Sequence, residues 1–110
     1  MNLGHYILNE QGEPVLEPDF LVWARWFETA DRRVARDVID GVIVSTVFLG
    51  LDHRFFGDGP PVLYESMVFG DTEEHMWRYS TREQALAGHQ ALAKRVYEAM
   101  QNLENEKGLL

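Results

Sequence analysis

The fold is decided by residues 34–51, which read VARDVIDGVIVSTVFLGL. Two apolar runs flank Asp40-Gly41, and a two-residue turn of this type joins antiparallel strands because both residues tolerate a positive φ. We therefore expect a β-hairpin in which Ile39 lies opposite Val42. The second run is apolar at nearly every position, which is typical of a central strand that is covered on both faces.

A short helix is predicted before this hairpin. Asp19 is a favourable N-cap residue, and Phe20, Trp23 and Phe27 recur after it at helical spacing. We expect this aromatic helix to extend from Phe20 to Thr29.

A longer amphipathic helix is predicted at the end of the chain. Ser80-Thr81-Arg82-Glu83 forms a capping box, and the periodic segment behind it extends to about Glu104. The predicted core-facing row is Leu86, His89, Ala93, Val96, Met100 and Leu103. Residues 105–110 are expected to fray as a tail.

Shorter apolar runs predict the remaining strands, at His5 to Leu8, Val62 to Phe69 and Met76 to Tyr79. Residues 1–18 are otherwise typical of a turn-rich N-terminal segment. We expect residues 1–110 to form a single α+β domain. Its core is an antiparallel β-sheet of three to four strands in meander order, with the short aromatic helix and the long C-terminal amphipathic helix packed on it.

The strand registers predict which sheet face the long helix covers. The first hairpin places Ala35 on the same face as Val42, Val44 and Thr46. If the next hairpin closes symmetrically, alternate residues of the third strand join that face: Leu63, Glu65, Met67 and Phe69. A one-residue slip would turn all of them to the other face. We assign the long helix to this face and the aromatic helix to the other face or to an edge.

Composition limits the classes of function. The chain has no cysteine, which excludes disulfides and thiolate metal sites and favours a reducing cytosol. No apolar run is long enough to cross a bilayer, and the first ten residues lack the pattern of a signal peptide. A formal net charge of −8 disfavours direct contact with nucleic acid or anionic membranes. It either suits a basic protein partner or simply favours solubility.

Four polar residues form a candidate site. Glu65 and His89 interrupt surfaces that are predicted to be apolar, and a buried charge is costly unless it is paired, so we expect them to face one another. Gly88 precedes His89, which favours a close approach of helix and sheet. Asp52 and His53 complete the candidate site. It is interpreted either as an acid/base or metal-binding group or as a structural hydrogen bond.

The loop DHRFFGDGPP at residues 52–61 is long for a hairpin connection. Arg54, Phe55 and Phe56 form a candidate interaction loop, whose rings either fold back on the core or remain exposed for a partner. No catalytic residue, metal site or cofactor is assigned. The serines lack a nucleophile-elbow motif, the histidines lack metal-ligand spacing, and the glycines of the loop lack the lysine of a phosphate-binding loop.

Three strings are distinctive: VSTVFLGLDH (44–53), YESMVFG (64–70) and YSTREQALAGH (79–89). Together with WARWFE (23–28), they resemble a family of small proteins encoded in tailed-phage and prophage genomes. The resemblance covers about residues 20–90. It implies a phage-type context, with a cytoplasmic location in a bacterial host, and assigns no role to any residue.

Three functional hypotheses follow. The leading one is a phage-type accessory protein that binds another protein, with an acidic, anti-CRISPR-like inhibitor of a host nucleic-acid-binding or defence protein as its specific form. The second is a small enzyme or metal-binding protein with a pocket of His53, Glu65 and His89. The third is a structural or self-assembling protein that forms a homodimer through an edge strand or the long helix.

Overall fold

A computed structural model describes residues 4–54, 57–70 and 75–108. Its elements are β1 (Tyr6–Leu8), β2 (Pro14–Leu16), α1 (Phe20–Thr29), β3 (Arg33–Ile39), β4 (Val42–Phe48), β5 (Tyr64–Phe69), β6 (His75–Tyr79) and α2 (Arg82–Gly108). In the described residues, β1 and β2 form an antiparallel hairpin, and the other strands form a four-stranded antiparallel sheet in the order β3-β4-β5-β6. The predicted α+β meander is confirmed. No helix in the described ranges is both long and apolar enough to span a bilayer.

The β3–β4 hairpin has the predicted register. Ile39 pairs with Val42, and the turn residues Asp40 and Gly41 have φ values of 48° and 84°. Two successive positive φ values define the turn whose twist matches that of the flanking strands. One face of β4 is therefore turned to the core, and its residues Val42, Val44, Thr46 and Phe48 are all buried.

The β4–β5 register differs from the prediction by one residue. Phe48 pairs with Tyr64, and Thr46 pairs with Ser66. Even-numbered residues of β5 therefore face the core, and Glu65 faces the opposite side of the sheet. Burying the aromatic ring of Tyr64 is favourable, whereas burying the Glu65 carboxylate in its place would be costly.

The N-terminal segment contains a second strand that was not predicted. The Asn9 Oδ1 atom accepts hydrogen bonds from the backbone N–H groups of Gln11 and Glu13, at 3.0 and 2.9 Å. This side-chain turn reverses the chain, and Leu16 of β2 then pairs with Tyr6 of β1. The strand predicted at residues 5–8 is present as β1, whereas the predicted turn segment behind it contains a strand, β2, as well as a turn.

The aromatic helix α1 has the predicted bounds, Phe20–Thr29. The Asp19 Oδ1 atom accepts hydrogen bonds from the N–H groups of Leu21 and Val22, at 3.0 and 3.3 Å. These bonds satisfy two of the N–H groups that a helix leaves unpaired at its first turn.

Two tryptophans attach α1 to the end of β4. Trp23 donates its indole N–H to the Gly50 carbonyl at 3.0 Å. The ring of Trp26 lies 5.9 Å from the ring of Phe48, edge to face. Because Phe48 belongs to the core-facing side of β4, α1 adds to that side, so the opposite face, one of the two places expected for α1, was wrong.

The long helix α2 covers the core-facing side of the sheet, as predicted. Its buried residues are Ala85, His89 and Leu92. The predicted row had Leu86 and Ala93 in place of Ala85 and Leu92, so the buried stripe is rotated slightly around the helix. A Cβ atom at position 88 would overlap the Tyr79 side chain of β6. The glycine thus permits the expected close approach of helix and sheet.

Both ends of α2 differ slightly from the prediction. Gln84 donates its N–H to Thr81 Oγ1 at 3.1 Å, and its side-chain oxygen accepts from the N–H groups of Ser80 and Thr81 at 3.1 and 3.2 Å. The capping box is therefore one residue later than expected. At the other end the helix continues to Gly108, four residues beyond the predicted end at Glu104. Residues 109–110 lie outside the described residues.

Candidate functional site

A chain of four polar side chains crosses the contact between the sheet and α2. His89 Nε2 lies 2.6 Å from Asp37 Oδ2, and His89 Nδ1 lies 2.7 Å from Thr46 Oγ1. The Thr46 hydroxyl lies 2.5 Å from the Ser66 hydroxyl. An ionised carboxylate only accepts hydrogen bonds, so Nε2 is the donor to Asp37. His89 is thus paired, but with Asp37 and Thr46 rather than with Glu65.

The strand register brings these groups together. Asp37 of β3 pairs with Val44, and Thr46 of β4 pairs with Ser66 of β5. All therefore project toward α2 from neighbouring strands. His89 occupies a buried position of the helix stripe directly above them and is 3% exposed.

The order carboxylate, imidazole, hydroxyl is that of a hydrolase triad, but the exposures are reversed. Thr46 and Ser66 are completely buried, whereas the side chain of Asp37 is 55% exposed. A substrate would have to reach a hydroxyl that has no access to solvent. The arrangement instead supplies Thr46, Ser66 and His89, the three buried members of this cluster, with hydrogen-bond partners, which is what a stable interior requires.

Glu65 lies on the other side of the sheet. Its Oε2 atom is 3.1 Å from Nε of Arg78 on β6, with which it pairs directly across the strands. The predicted Glu65–His89 pair was therefore wrong, and so was a shared pocket that includes both residues. The cause is the one-residue difference in the β4–β5 register.

Asp52 and His53 stabilise their own loop. Asp52 Oδ1 accepts hydrogen bonds from the backbone N–H groups of Arg54 and Val62, both at 2.9 Å. His53 donates Nδ1–H to the Leu51 carbonyl at 2.8 Å. The Arg54 guanidinium contacts the Gly59 carbonyl and lies 3.6 Å from Asp52 Oδ2. Phe55 and Phe56 of the candidate interaction loop lie outside the described residues.

Metal binding has no geometric support in the described ranges. There, no group of three or more histidine and carboxylate side chains is arranged to hold an ion.

Tyr64 carries an unpaired polar group in the core. The residue is fully buried, and its hydroxyl has no hydrogen-bond partner among the described residues. Burial raises the pKa of the Tyr64 phenol, with a smaller opposing effect from the positive charge of Arg82. This hydroxyl lowers the stability of the fold and belongs to no polar cluster.

Exposed apolar side chains concentrate in one N-terminal segment. Half of the ten large apolar side chains that are exposed in the described residues lie here, with exposures of 38–64%. They are Val15, Leu16, Phe20, Leu21 and Val22. The acids Glu13, Glu17 and Asp19 are interspersed with them. We call residues 13–22 the N-terminal surface.

Charge distinguishes this surface from the uncovered side of the sheet. Residues 13–22 contain three acidic residues and no basic residue, a net charge of −3 within the −8 of the chain. The uncovered side of the sheet also exposes apolar residues, including Val38, Phe69 and Met76. Its charged residues are Arg33, Arg36, Arg78 and Glu65, so its net charge is positive. A basic partner suits the first surface and is repelled by the second.

A groove of about 360 Å³ lies where α2 leaves the sheet. Its walls include Val68 and Trp77 from the strands and Leu92, Arg95, Val96 and Ala99 from the helix. The groove includes no member of the His89 chain.

The positions of Asp37 and Thr46, which were not assigned to the candidate site, follow from the predicted β3–β4 register. The predicted β3–β4 register already placed Asp37 opposite Val44, at a position where a carboxylate needs a partner. Thr46 was also predicted on the core side, directly under the long helix. Ser66 had no such signal, because its position depends on the β4–β5 register.

No family model, curated protein or solved structure matches this chain.

Proposed function

We propose that this protein acts by binding a basic protein partner through the N-terminal surface. The specific form that we propose is a phage-type accessory protein that inhibits a nucleic-acid-binding or defence protein of a bacterial host. The observation that carries the proposal is the concentration of exposed apolar side chains among acidic ones at residues 13–22. Concentrations of exposed apolar side chains on a protein surface commonly mark binding sites.

The chemistry of the surface specifies the partner. Apolar side chains at the centre of an interface supply affinity, and a rim of charge steers encounter and selects the partner. Here the rim is acidic, and Glu13 is exposed to solvent. The partner should therefore present basic residues around an apolar depression. Proteins that bind nucleic acid have such basic surfaces.

The structural support of this surface is rigid. Two aromatic rings of α1 pack against His5. The ring centroid of His5 lies 5.6 Å from that of Phe20 and 4.5 Å from that of Trp23. The Glu17 N–H donates to the His5 carbonyl at 2.8 Å. Because β1, β2 and α1 hold one another in this way, the exposed side chains of the N-terminal surface are presented without a large ordering cost on binding.

The experiment is capture from a bacterial host lysate with the immobilised protein, at low and high salt. Leu16→Ser/Leu21→Ser removes two exposed apolar side chains from the surface, and Glu13→Lys reverses one charge of its rim. The matched control is Val38→Ser/Met76→Ser, which removes two side chains of similar exposure from the uncovered side of the sheet.

We expect a basic protein to be captured by the wild type and by the control at low salt, and released as salt screens the charges. Loss of two interfacial leucines costs about 3 kcal/mol, or roughly a hundredfold in affinity, so capture by the double serine variant should disappear. Equal capture by that variant, an acidic captured protein, or no specific capture at low salt would contradict the proposal.

A further inference from the structure

The last third of α2 extends beyond the sheet. The helix has 27 residues, which is about 40 Å at 1.5 Å per residue, and the described chain measures 60 Å along its longest axis against 31 and 23 Å along the others. Burial of the helix ends near Met100, and every residue from Gln101 to Glu106 is exposed. Short helical segments in water depend on packing for their stability. The projecting part of α2, residues 101–108, would therefore be stabilised by packing against a partner surface.

The apolar stripe of α2 continues onto the projection. Leu103 follows Val96 by seven residues, so at 100° per residue the two side chains lie within about 20° of one another on the helix. Val96 and Ala99 border the groove at the edge of the sheet, whereas Leu103 is 49% exposed. The same stripe thus offers a groove at its inner end and an uncovered leucine at its outer end.

The charges beside this stripe favour an antiparallel arrangement of two α2 helices over a parallel one. Arg95 borders the groove, and Glu106 lies eleven residues later, which again returns to within about 20° on the helix. The two opposite charges therefore occupy one flank at the two ends of the exposed half. An antiparallel second helix places Glu106 beside Arg95 on the same side of the interface, whereas a parallel one places these flanks on opposite sides, where the two charges do not meet.

We propose that a second copy of this chain covers the projecting half of α2, in an antiparallel arrangement with two-fold symmetry. Leu103 of each copy lies in the groove of the other, against Val96 and Ala99, and Glu106 of each copy pairs with Arg95 of the other. A surface that contains both a pocket and the group that fills it is self-complementary, as a two-fold interface requires. The alternative occupant of the groove is a small anionic ligand bound by Arg95, but such a ligand would leave the apolar side chain of Leu103 exposed to solvent.

This surface is remote from the N-terminal surface. Ala85 packs with Tyr6 and Leu8 of β1, and Leu103 lies 18 residues further along α2, about 27 Å away. The dimer therefore leaves both N-terminal surfaces available, and its existence does not depend on the proposed function.

The test is sedimentation equilibrium of the full chain over a range of concentrations. The wild type should sediment as a species of twice 12.7 kDa. Arg95→Glu and Glu106→Arg should each weaken association about tenfold or more, because each change makes two repulsive contacts. The double variant Arg95→Glu/Glu106→Arg should restore it. Glu98→Arg is the matched control, since position 98 lies on the outer side of the helix, and it should leave association unchanged.

Leu103→Ser should reduce association at least tenfold, and circular dichroism on each variant separates this loss from unfolding. A wild type that remains monomeric at all concentrations would overturn the proposal. So would a dimer that survives Leu103→Ser, or a charge-swapped double variant that stays as weak as the single ones.

Discussion

Replacing His89 with alanine tests whether the buried polar chain is a structural element of the fold. The change removes two hydrogen bonds, one to the fully buried Thr46 and one to the half-exposed Asp37. Each is worth about 1 kcal/mol net. Removal of the imidazole from a site that is 3% exposed also leaves a cavity, which adds about 1–2 kcal/mol. Alanine returns about 0.5 kcal/mol of helix propensity, so the expected loss is about 3 kcal/mol.

Urea unfolding followed by far-ultraviolet circular dichroism measures this loss. The slope with denaturant should stay constant, which shows that the variant unfolds from the same compact state. The free energy of unfolding should fall by a large part of the 5–15 kcal/mol that is usual for a domain.

Two control variants make the measurement specific. His53→Ala removes one hydrogen bond to a backbone carbonyl in a loop and should cost less than about 1 kcal/mol. Asp37→Ala removes the solvent-exposed partner of His89 and should lower the free energy of unfolding by about 1 kcal/mol. A loss below about 1 kcal/mol for His89→Ala, or a loss equal to that of His53→Ala, would refute the structural interpretation.

Two further substitutions test the packing around α2. Gly88→Ala introduces a Cβ atom that overlaps the Tyr79 side chain, and this overpacking should cost about 1–3 kcal/mol in urea unfolding despite the better helix propensity of alanine. Tyr79→Leu should relieve part of that cost in the double variant, and additive effects would contradict the contact. Tyr64→Phe removes the buried hydroxyl without a partner and should stabilise the fold by about 1 kcal/mol. Because the pKa of Tyr64 is raised in the folded state, the unfolded state ionises first, so the wild type should lose stability more steeply than Tyr64→Phe above about pH 10. Parallel pH profiles would contradict the burial of an ionisable phenol.

The sequence specifies the elements that local signals define. Asp19 with the aromatic spacing behind it determines the bounds of α1, and Asp40-Gly41 determines the β3–β4 register, because each signal acts within a few residues. The sheet-facing position of His89 could also be predicted, since it follows from the periodicity of α2 alone.

The partner of His89 could not be predicted, because it depends on a register that no local signal sets. The β4–β5 connection runs through an irregular loop, in which the Leu49 N–H donates to the Leu63 carbonyl at 2.7 Å. Such a loop can close in either of two registers that differ by one residue, and each presents a different half of β5 to the core. The burial of Tyr64 decides between them, and that requires the packed structure.

The acidic N-terminal surface was likewise beyond the sequence analysis. The net charge suited a basic partner. The position of the exposed apolar side chains, however, depends on β2, a strand that could not be predicted because its segment is rich in turn-forming residues. Phe20 belongs to the aromatic spacing that predicted α1, yet its side chain is 59% exposed and its ring contacts His5 and Trp23.

The binding of a basic protein through residues 13–22 is tested most directly by nuclear magnetic resonance. The ¹⁵N-labelled protein is observed in an unlabelled bacterial host lysate at low salt. Amide signals of residues 13–22 should lose intensity beyond the average of the chain, and added salt should restore them. The Leu16→Ser/Leu21→Ser variant should show no such selective loss. Uniform intensities along the chain, or a selective loss confined to another surface, would contradict the account.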